Sequence, residues 1–155
     1  MGGGNVSDRR RVAALFLLEN KGRKDGEQMA WREYNPNPRG TRVGDCAVRA
    51  CCKAGGKGWE TTYCALSLEG YMRGDLISAN HVWGAYLRRC GFTRYVIPNE
   101  CPDCYTVADF CRDHPSGLYV LAISGHVVAV EDGDWWDTWD SGGEIPVYYW
   151  TRKEQ

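Results

Sequence analysis

The chain has 155 residues, of which 43% are hydrophobic and 25% charged, a composition typical of globular proteins and not of disordered or collagen-like ones. This length fits one domain with a buried core and argues against a second domain. Nineteen basic residues against twenty acidic ones give a net charge of −1. The excess positive charge that phosphate-backbone binding requires is therefore missing, and nucleic acid is not an expected partner.

The N-terminal region reads as a tail followed directly by the domain. Residues 1–11 are rich in glycine and charge and are predicted to be a flexible tail, and residues 12–155 are predicted to form the single domain. The apolar run from Val12 to Leu18 is too short to cross a bilayer and lacks the cleavage site of a secretory signal. We therefore expect no membrane partner and a cytoplasmic protein whose eight cysteines remain free thiols.

Apolar periodicity predicts four helices. The first follows a turn-rich loop, Asn35 to Gly40, and ends at the helix-terminating pair Gly55-Gly56. The last has Thr106 as its N-terminal cap and ends ahead of Pro115, which cannot continue a helix. The four helices are predicted at about 46–54, 59–71, 79–90 and 106–114.

The pattern then changes to strands. Runs of β-branched and aromatic residues are interrupted by Asp132-Gly133, the pair that favours a tight hairpin turn. Helices first and an antiparallel sheet second indicate an α+β fold with the helices packed on one side of the sheet. The strands are predicted at 117–123, 126–130, 135–139 and 145–151.

Cys46 is the candidate nucleophile because it begins the first predicted helix. The helix dipole and the free backbone amides at this position favour a thiolate, and the same amides can stabilise a developing oxyanion. Asp45 is predicted to cap the helix. The sequence Gly-Asp-Cys alone is equally compatible with a buried structural cysteine, so the interpretation depends on the partners of Cys46.

The hairpin register supplies two partners. His126 opens a strand, whereas His81 lies in a helix and His114 precedes a proline. If Asp132-Gly133 is a two-residue turn, Glu131 faces Asp134 and the pairing continues until Val128 faces Asp137, so that Asp137 lies beside His126 on one face. Such a carboxylate fixes the imidazole tautomer. Asp140 is the second choice for this residue, with a turn role as its alternative.

The order of these residues resembles the papain-like cysteine peptidase superfamily, which includes transglutaminase-like and bacteriocin-leader-processing enzymes. A closer resemblance is to a family of small, mostly uncharacterised proteins of Gram-positive bacteria and their phages. It extends over about residues 34 to 151 and is carried by the segments NPNPRGTRVGDCAVRA, YTVADFCRDHPSGLYVLAISGHVVAVEDG and WWDTWDSG. The resemblance implies a papain-like fold, with the nucleophile helix packed on a C-terminal antiparallel sheet, and says less about the substrate.

Papain-like enzymes place an amide side chain, usually Gln, shortly before the nucleophile to complete the oxyanion hole. This region of the chain holds no Gln, and Asn37 is the candidate in its place, ahead of Asn35. Capping of the loop backbone is an equally favoured role for Asn37. The departure from the family pattern concerns the oxyanion site and not the identity of the nucleophile.

A cysteine pair and two tryptophans each allow two interpretations. Cys101-Pro102-Asp103-Cys104 has the spacing of half a zinc site, which Cys90 and Cys111 could complete, but a turn is the favoured interpretation and no metal is expected. By hairpin parity, Trp135 and Trp139 share the face of His126, and we favour a core position for both over the wall of a substrate cleft.

The sequence therefore predicts a cysteine hydrolase, whether peptidase, isopeptidase or amidase, that acts on a protein or peptide substrate through Cys46, His126 and Asp137 without a cofactor. An acyl transferase of the transglutaminase type would use the same residues. A phage or bacterial protein-binding module that keeps the fold without activity is the alternative from another class.

Overall fold

The computed structural model describes residues 28–98 and 105–152. The predicted tail at 1–11, the run from Val12 to Leu18 and the pair Cys101 and Cys104 lie outside these residues. Chain order is strand β1, helices α1, α2 and α3, strand β2, helix α4 and strands β3 to β6. Their bounds are Trp31–Glu33, Cys46–Gly55, Trp59–Arg73, Asn80–Arg89, Phe92–Val96, Val107–Asp113, Leu118–Ile123, His126–Glu131, Asp134–Asp137 and Pro146–Arg152.

The four predicted helices are confirmed. Local signals in the sequence define where they begin and end. Gly56 ends α1 in the left-handed conformation, with φ of 61°, which glycine adopts without steric cost. At α4, Thr106 accepts a hydrogen bond from the backbone N–H of Asp109, and the Asp109 carboxylate accepts one from the backbone of Thr106. This reciprocal capping box satisfies two amides that the helix itself leaves unpaired.

The described residues form one mixed sheet in the order β1-β5-β4-β3-β6-β2. The four predicted strands, β3 to β6, form an antiparallel core, and β2 pairs antiparallel with β6. β1, however, runs parallel to β5. The prediction of an antiparallel sheet therefore holds for β3 to β6 but not for the whole sheet, because β1, a strand that the prediction did not include, joins one edge in parallel.

The hydrophobic core occupies both faces of the sheet. Helices α1, α2 and α3 cover the face formed by alternate residues such as Val120, Ala122 and Ala129. On the opposite face, Val107 and Phe110 of α4 pack on Leu121, Val128 and Val130. The expectation that all helices lie on one side was wrong for α4. Its apolar residues pack on the side chains of β3 and β4 that point away from α1, α2 and α3.

Gly84 shows how closely α3 approaches the sheet. A Cβ atom at this position would lie 2.9 Å from Cζ2 of Trp150, a residue of β6 that is almost fully buried. Glycine therefore lets the helix backbone rest on the indole ring, at the cost of its low helix propensity. No helix within residues 28–98 and 105–152 has the length and apolar character needed to traverse a bilayer.

Candidate active site

The predicted triad residues meet at one end of the sheet. Cys46 is the first residue of α1, His126 is the first residue of β4, and Asp137 is the last residue of the neighbouring antiparallel strand β5. Cys46 packs against the core cluster that contains Val127, so the start of α1 lies against the start of β4. Helix and hairpin thus bring together residues that are far apart in the sequence.

The turn at Asp132-Gly133 sets the register of the hairpin. Both residues have positive φ angles, 50° and 79°, as a two-residue turn between twisted antiparallel strands requires. Glu131 pairs with Asp134, Val130 with Trp135, and Ala129 with Trp136, so these three predicted pairs are confirmed. One step further along, Asp137 reaches the imidazole of His126.

His126 lies between the carboxylate and the thiol. Its Nε2 is 2.5 Å from Oδ2 of Asp137, and the ring also interacts with Cys46, because each of the two groups shifts the pKa of the other. Because Nε2 is occupied by the carboxylate, Nδ1 is the nitrogen available to the sulfur. The imidazole can therefore exchange a proton with Cys46 while Asp137 holds its other side.

Electrostatics favour the charged forms of both groups. Burial would raise the pKa of the Cys46 thiol, but its hydrogen bond with His126, the nearby imidazolium, the Val127 N–H and the Arg49 charge together lower it. Burial likewise opposes a charged His126, but its hydrogen bonds to Asp137 and Cys46 and their negative charges raise its pKa to about 9. The arrangement therefore favours a thiolate–imidazolium pair over the neutral thiol and imidazole.

The Asp137 carboxylate is held by several donors. The side chain is 2% exposed, and Oδ1 accepts a 2.7 Å bond from the backbone N–H of Thr138, while Oδ2 accepts a 2.8 Å bond from the Ser141 hydroxyl in addition to His126. Its backbone carbonyl accepts hydrogen bonds from Tyr34 N and from Nε1 of Trp31. Both the backbone and the side chain of Asp137 are thus fixed in place.

Arg49 and Ser141 join the site although the sequence did not point to them. Arg49 is a buried residue of α1 whose guanidinium bonds Asp45 and lies 3.7 Å from Oδ1 of Asp137. The signal that could have revealed it is a single arginine among Ala, Val and Cys residues on the buried face of α1. Ser141 is fully buried but sits in a glycine-rich turn sequence, where serine is ordinarily exposed.

Asp45 does not cap α1 through its side chain, contrary to the sequence-based prediction. It occupies the N-cap position, but the side chain makes no capping hydrogen bond. The carboxylate instead accepts bonds from Arg49, from Nε1 of Trp59 at 2.9 Å and from Nδ2 of Asn37 at 3.0 Å. These three charged and polar donors compete with the helix amides and hold the carboxylate beside Cys46.

Asn37 shapes the loop that leads to Cys46. Its Oδ1 accepts from the backbone N–H of Arg39 at 2.9 Å, and its Nδ2 donates to Asp45. Its own N–H donates to Oδ1 of Asn35, whose Nδ2 donates to the carbonyl of Thr41. This is the loop-capping role, and the assignment of Asn37 to the oxyanion hole stays a prediction.

A second link joins this loop to the segment after β5. Arg42 donates through Nη2 to the carbonyl of Thr138, and the Thr138 hydroxyl donates back to the carbonyl of Arg42 at 3.1 Å. The other arm of Arg42 pairs with Glu33 at 2.6 Å. The loop before Cys46 is therefore anchored directly beside Asp137.

Asp140, the second choice for the third residue, has a different role in the structure. Its Oδ1 accepts bonds from Nε1 of Trp135 at 2.9 Å and from the N–H of Gly142 at 3.1 Å.

Trp135 is buried in the core, as predicted, but Trp139 is 42% exposed and lies against the His126 ring at 5.2 Å between centroids. The predicted core position was therefore wrong for Trp139, which forms an exposed wall beside the imidazole.

No protein-family model, curated protein or solved structure matches this chain. The papain-like resemblance drawn from the sequence therefore stays a prediction.

Among residues 28–98 and 105–152, no three side chains of His, Cys, Asp or Glu are grouped so as to hold a metal ion. Cys90 packs with the core on the side of α1, and Cys111 is buried on the opposite face of the sheet. These two residues therefore cannot jointly complete a site with the Cys101-Cys104 pair, as the zinc alternative required.

Proposed function

We propose that the protein is a cysteine hydrolase of papain-like type, in which Cys46 is the nucleophile, His126 the general acid and base, and Asp137 the residue that orients His126. The observation that carries the proposal is the position of one imidazole between a thiol at a helix N-terminus and a buried carboxylate. A helix that begins with the nucleophile and packs on a sheet bearing the other two residues supports the papain-like assignment.

The proposed reaction has two halves. The Cys46 thiolate attacks a carbonyl carbon, and the amides at the start of α1 stabilise the negative charge that forms on the carbonyl oxygen. The His126 imidazolium then donates its proton to the leaving amine as the carbon–nitrogen bond breaks. In the second half His126 takes a proton from water, the resulting hydroxide attacks the acyl carbon, and the thiolate leaves.

The substrate class we propose is an amide, isopeptide or thioester carbonyl of a protein or peptide, and the location we propose is the cytoplasm. The exposed face of Trp139 beside His126 supports a site open to a macromolecular substrate. None of these steps requires a cofactor. An acyl transferase would differ only in the second half of the reaction, where an amine would take the place of water.

Mass spectrometry of the intact protein tests the proposal. The chain is mixed with a panel of peptide, isopeptide and thioester substrates and quenched at short times, and we expect one acyl group on Cys46 together with a burst of released product. Addition of a primary amine that captures the acyl group identifies a transferase. If no substrate acylates Cys46 and a thiol-directed electrophile labels it no faster than the exposed Cys64, the protein is a binding module and the proposal is wrong.

The pH dependence of turnover provides a second test. Activity should rise as the Cys46 thiol ionises, at a pH below that of an ordinary thiol, and fall as pH increases through about 9, where His126 loses its proton. The same proton links to folding: because the folded pKa of His126 exceeds its ordinary value, its contribution to stability is complete below about pH 6.5 and is lost as pH rises through about 9. A single rise in kcat/KM near the pKa of a free thiol, without a fall at high pH, would contradict the ion pair.

A further inference from the structure

The site contains a buried charge that the proposed reaction does not use. Arg49 lies on α1 three residues after the nucleophile, and its side chain is 5% exposed. Nη1 donates to Oδ1 of Asp45, and Nη2 lies 3.7 Å from Oδ1 of Asp137. One guanidinium therefore connects the carboxylate beside Cys46 with the carboxylate that holds His126.

Stability alone gives little reason for an arginine here. Desolvation of a guanidinium and its partners costs so much that apolar replacements of buried ion pairs are often neutral or stabilising. The other buried residues of α1 are alanine, valine and cysteine, whereas the Arg49 guanidinium contacts two carboxylates, Asp45 and Asp137. The contacts of Arg49 with both ends of the site point instead to a role in its chemistry.

The charges around the sulfur indicate what that role is. Cys46 faces His126 and Arg49 as positive groups, the negative Asp45 precedes it in the chain, and the thiol of Cys51 lies further along the same helix. The charge of Arg49 lowers the pKa of the Cys46 thiol. Arg49 also pairs directly with Asp45, whose negative charge beside Cys46 would otherwise oppose a thiolate. Arg49 also acts on Asp137 from the side opposite His126, which occupies Oδ2.

We propose that Arg49 is a positioning residue, which stabilises the Cys46 thiolate against the charge of Asp45 and holds Asp137 toward His126 from helix α1. The inference rests on the proposed function of the same site. It assigns to α1 two contributions to the reaction, the nucleophile at its first residue and the guanidinium that links this helix to the sheet.

The test follows alkylation of Cys46 by iodoacetamide against pH, with peptide mass spectrometry separating it from the exposed Cys64 as internal reference. The rate of Cys46 alkylation rises with pH as the thiol ionises, and this rise is the limb that the variants should move. In Arg49→Gln the limb should move to higher pH, so that labelling below neutral pH slows by about threefold to tenfold. Arg49→Lys should keep the limb near its wild-type position, because the charge remains. In the double variant Asp45→Asn/Arg49→Gln the limb should return toward wild type, because both opposing charges are gone.

Arg89→Gln is the matched control, since it removes a guanidinium from another buried carboxylate, Glu69, between α2 and α3. It should lower the melting temperature without moving the Cys46 limb.

A folded Arg49→Gln protein with the wild-type limb overturns the inference and leaves the proposed function intact. If Arg49→Gln does not fold, Asp45→Asn decides: its limb should move to lower pH, and an unchanged limb overturns the inference. A wild-type limb at the pH of an ordinary thiol overturns the proposed function itself.

Discussion

Cys46→Ala should abolish turnover while leaving the fold intact. Without the thiolate no acyl-enzyme can form, and loss of the nucleophile in comparable hydrolases costs about 10⁶-fold in kcat. The side chain is partly exposed and begins a helix, so its truncation should change the melting temperature little. Cys46→Ser should be nearly as inactive, because a hydroxyl ionises far less readily than a thiol. Turnover and thermal unfolding, measured on the same preparations, check both statements.

Cys64→Ala is the matched control for this experiment. Cys64 is an exposed free thiol on α2, so its removal should leave both turnover and stability near those of the wild type. Near wild-type turnover in folded Cys46→Ala would show that the chemistry lies elsewhere or that the preparation carries a contaminating activity.

Much of the site could be predicted because the signals that build it are local. The helix that begins at Cys46 is fixed by a preceding loop and by Gly56, and the hairpin is fixed by Asp132-Gly133. A two-residue turn leaves only one register, and this register determines that His126 and Asp137 are neighbours. The alternating strand pattern and the residues of the turn were therefore sufficient to predict that His126 and Asp137 lie side by side.

The parts that escaped prediction depend on contacts between distant segments. β1 has three residues, too few for a period, and forms only because it pairs in parallel with β5. Yet this strand carries Trp31, whose indole fixes the backbone of Asp137, and it is followed by Tyr34, whose N–H does the same. The side of the sheet on which α4 packs was likewise invisible, because an amphipathic helix does not specify which face of a sheet it covers.

The contacts of Asp45 and Arg49 were missed for a related reason. An aspartate before a helix is most often a cap, and no local rule announces that a tryptophan fourteen residues further along, Trp59, will donate to it instead. The pairing of Arg49 with Asp45 has the i, i+4 spacing that the sequence does contain. Burial turned this ordinary helix pair into part of the site, and burial was not readable from the spacing.

Asp137→Asn should lower turnover by about 10³-fold to 10⁴-fold, as loss of the carboxylate does in comparable triads. The backbone N–H of Thr138 donates to Oδ1, so the amide oxygen of the asparagine should stay at that position and its Nδ2 should face His126. Nε2 must then accept a hydrogen bond, which places the proton of the neutral imidazole on Nδ1, toward the sulfur. In this tautomer His126 cannot receive the thiol proton.

Asp140→Asn is the comparison that isolates this effect, since it makes the same chemical change three residues away. Both bonds of Asp140, from Trp135 and from Gly142, end on Oδ1, and an asparagine oxygen can accept both. Turnover of Asp140→Asn should therefore stay near wild type, and the rising limb of Cys46 alkylation should not move. In Asp137→Asn that limb should shift to higher pH, because His126 loses the negative partner that favours its charged form and so supports the thiolate less. If Asp140→Asn loses reactivity while Asp137→Asn keeps it, the contact between His126 and Asp137 does not serve catalysis, and the third residue of the site is Asp140.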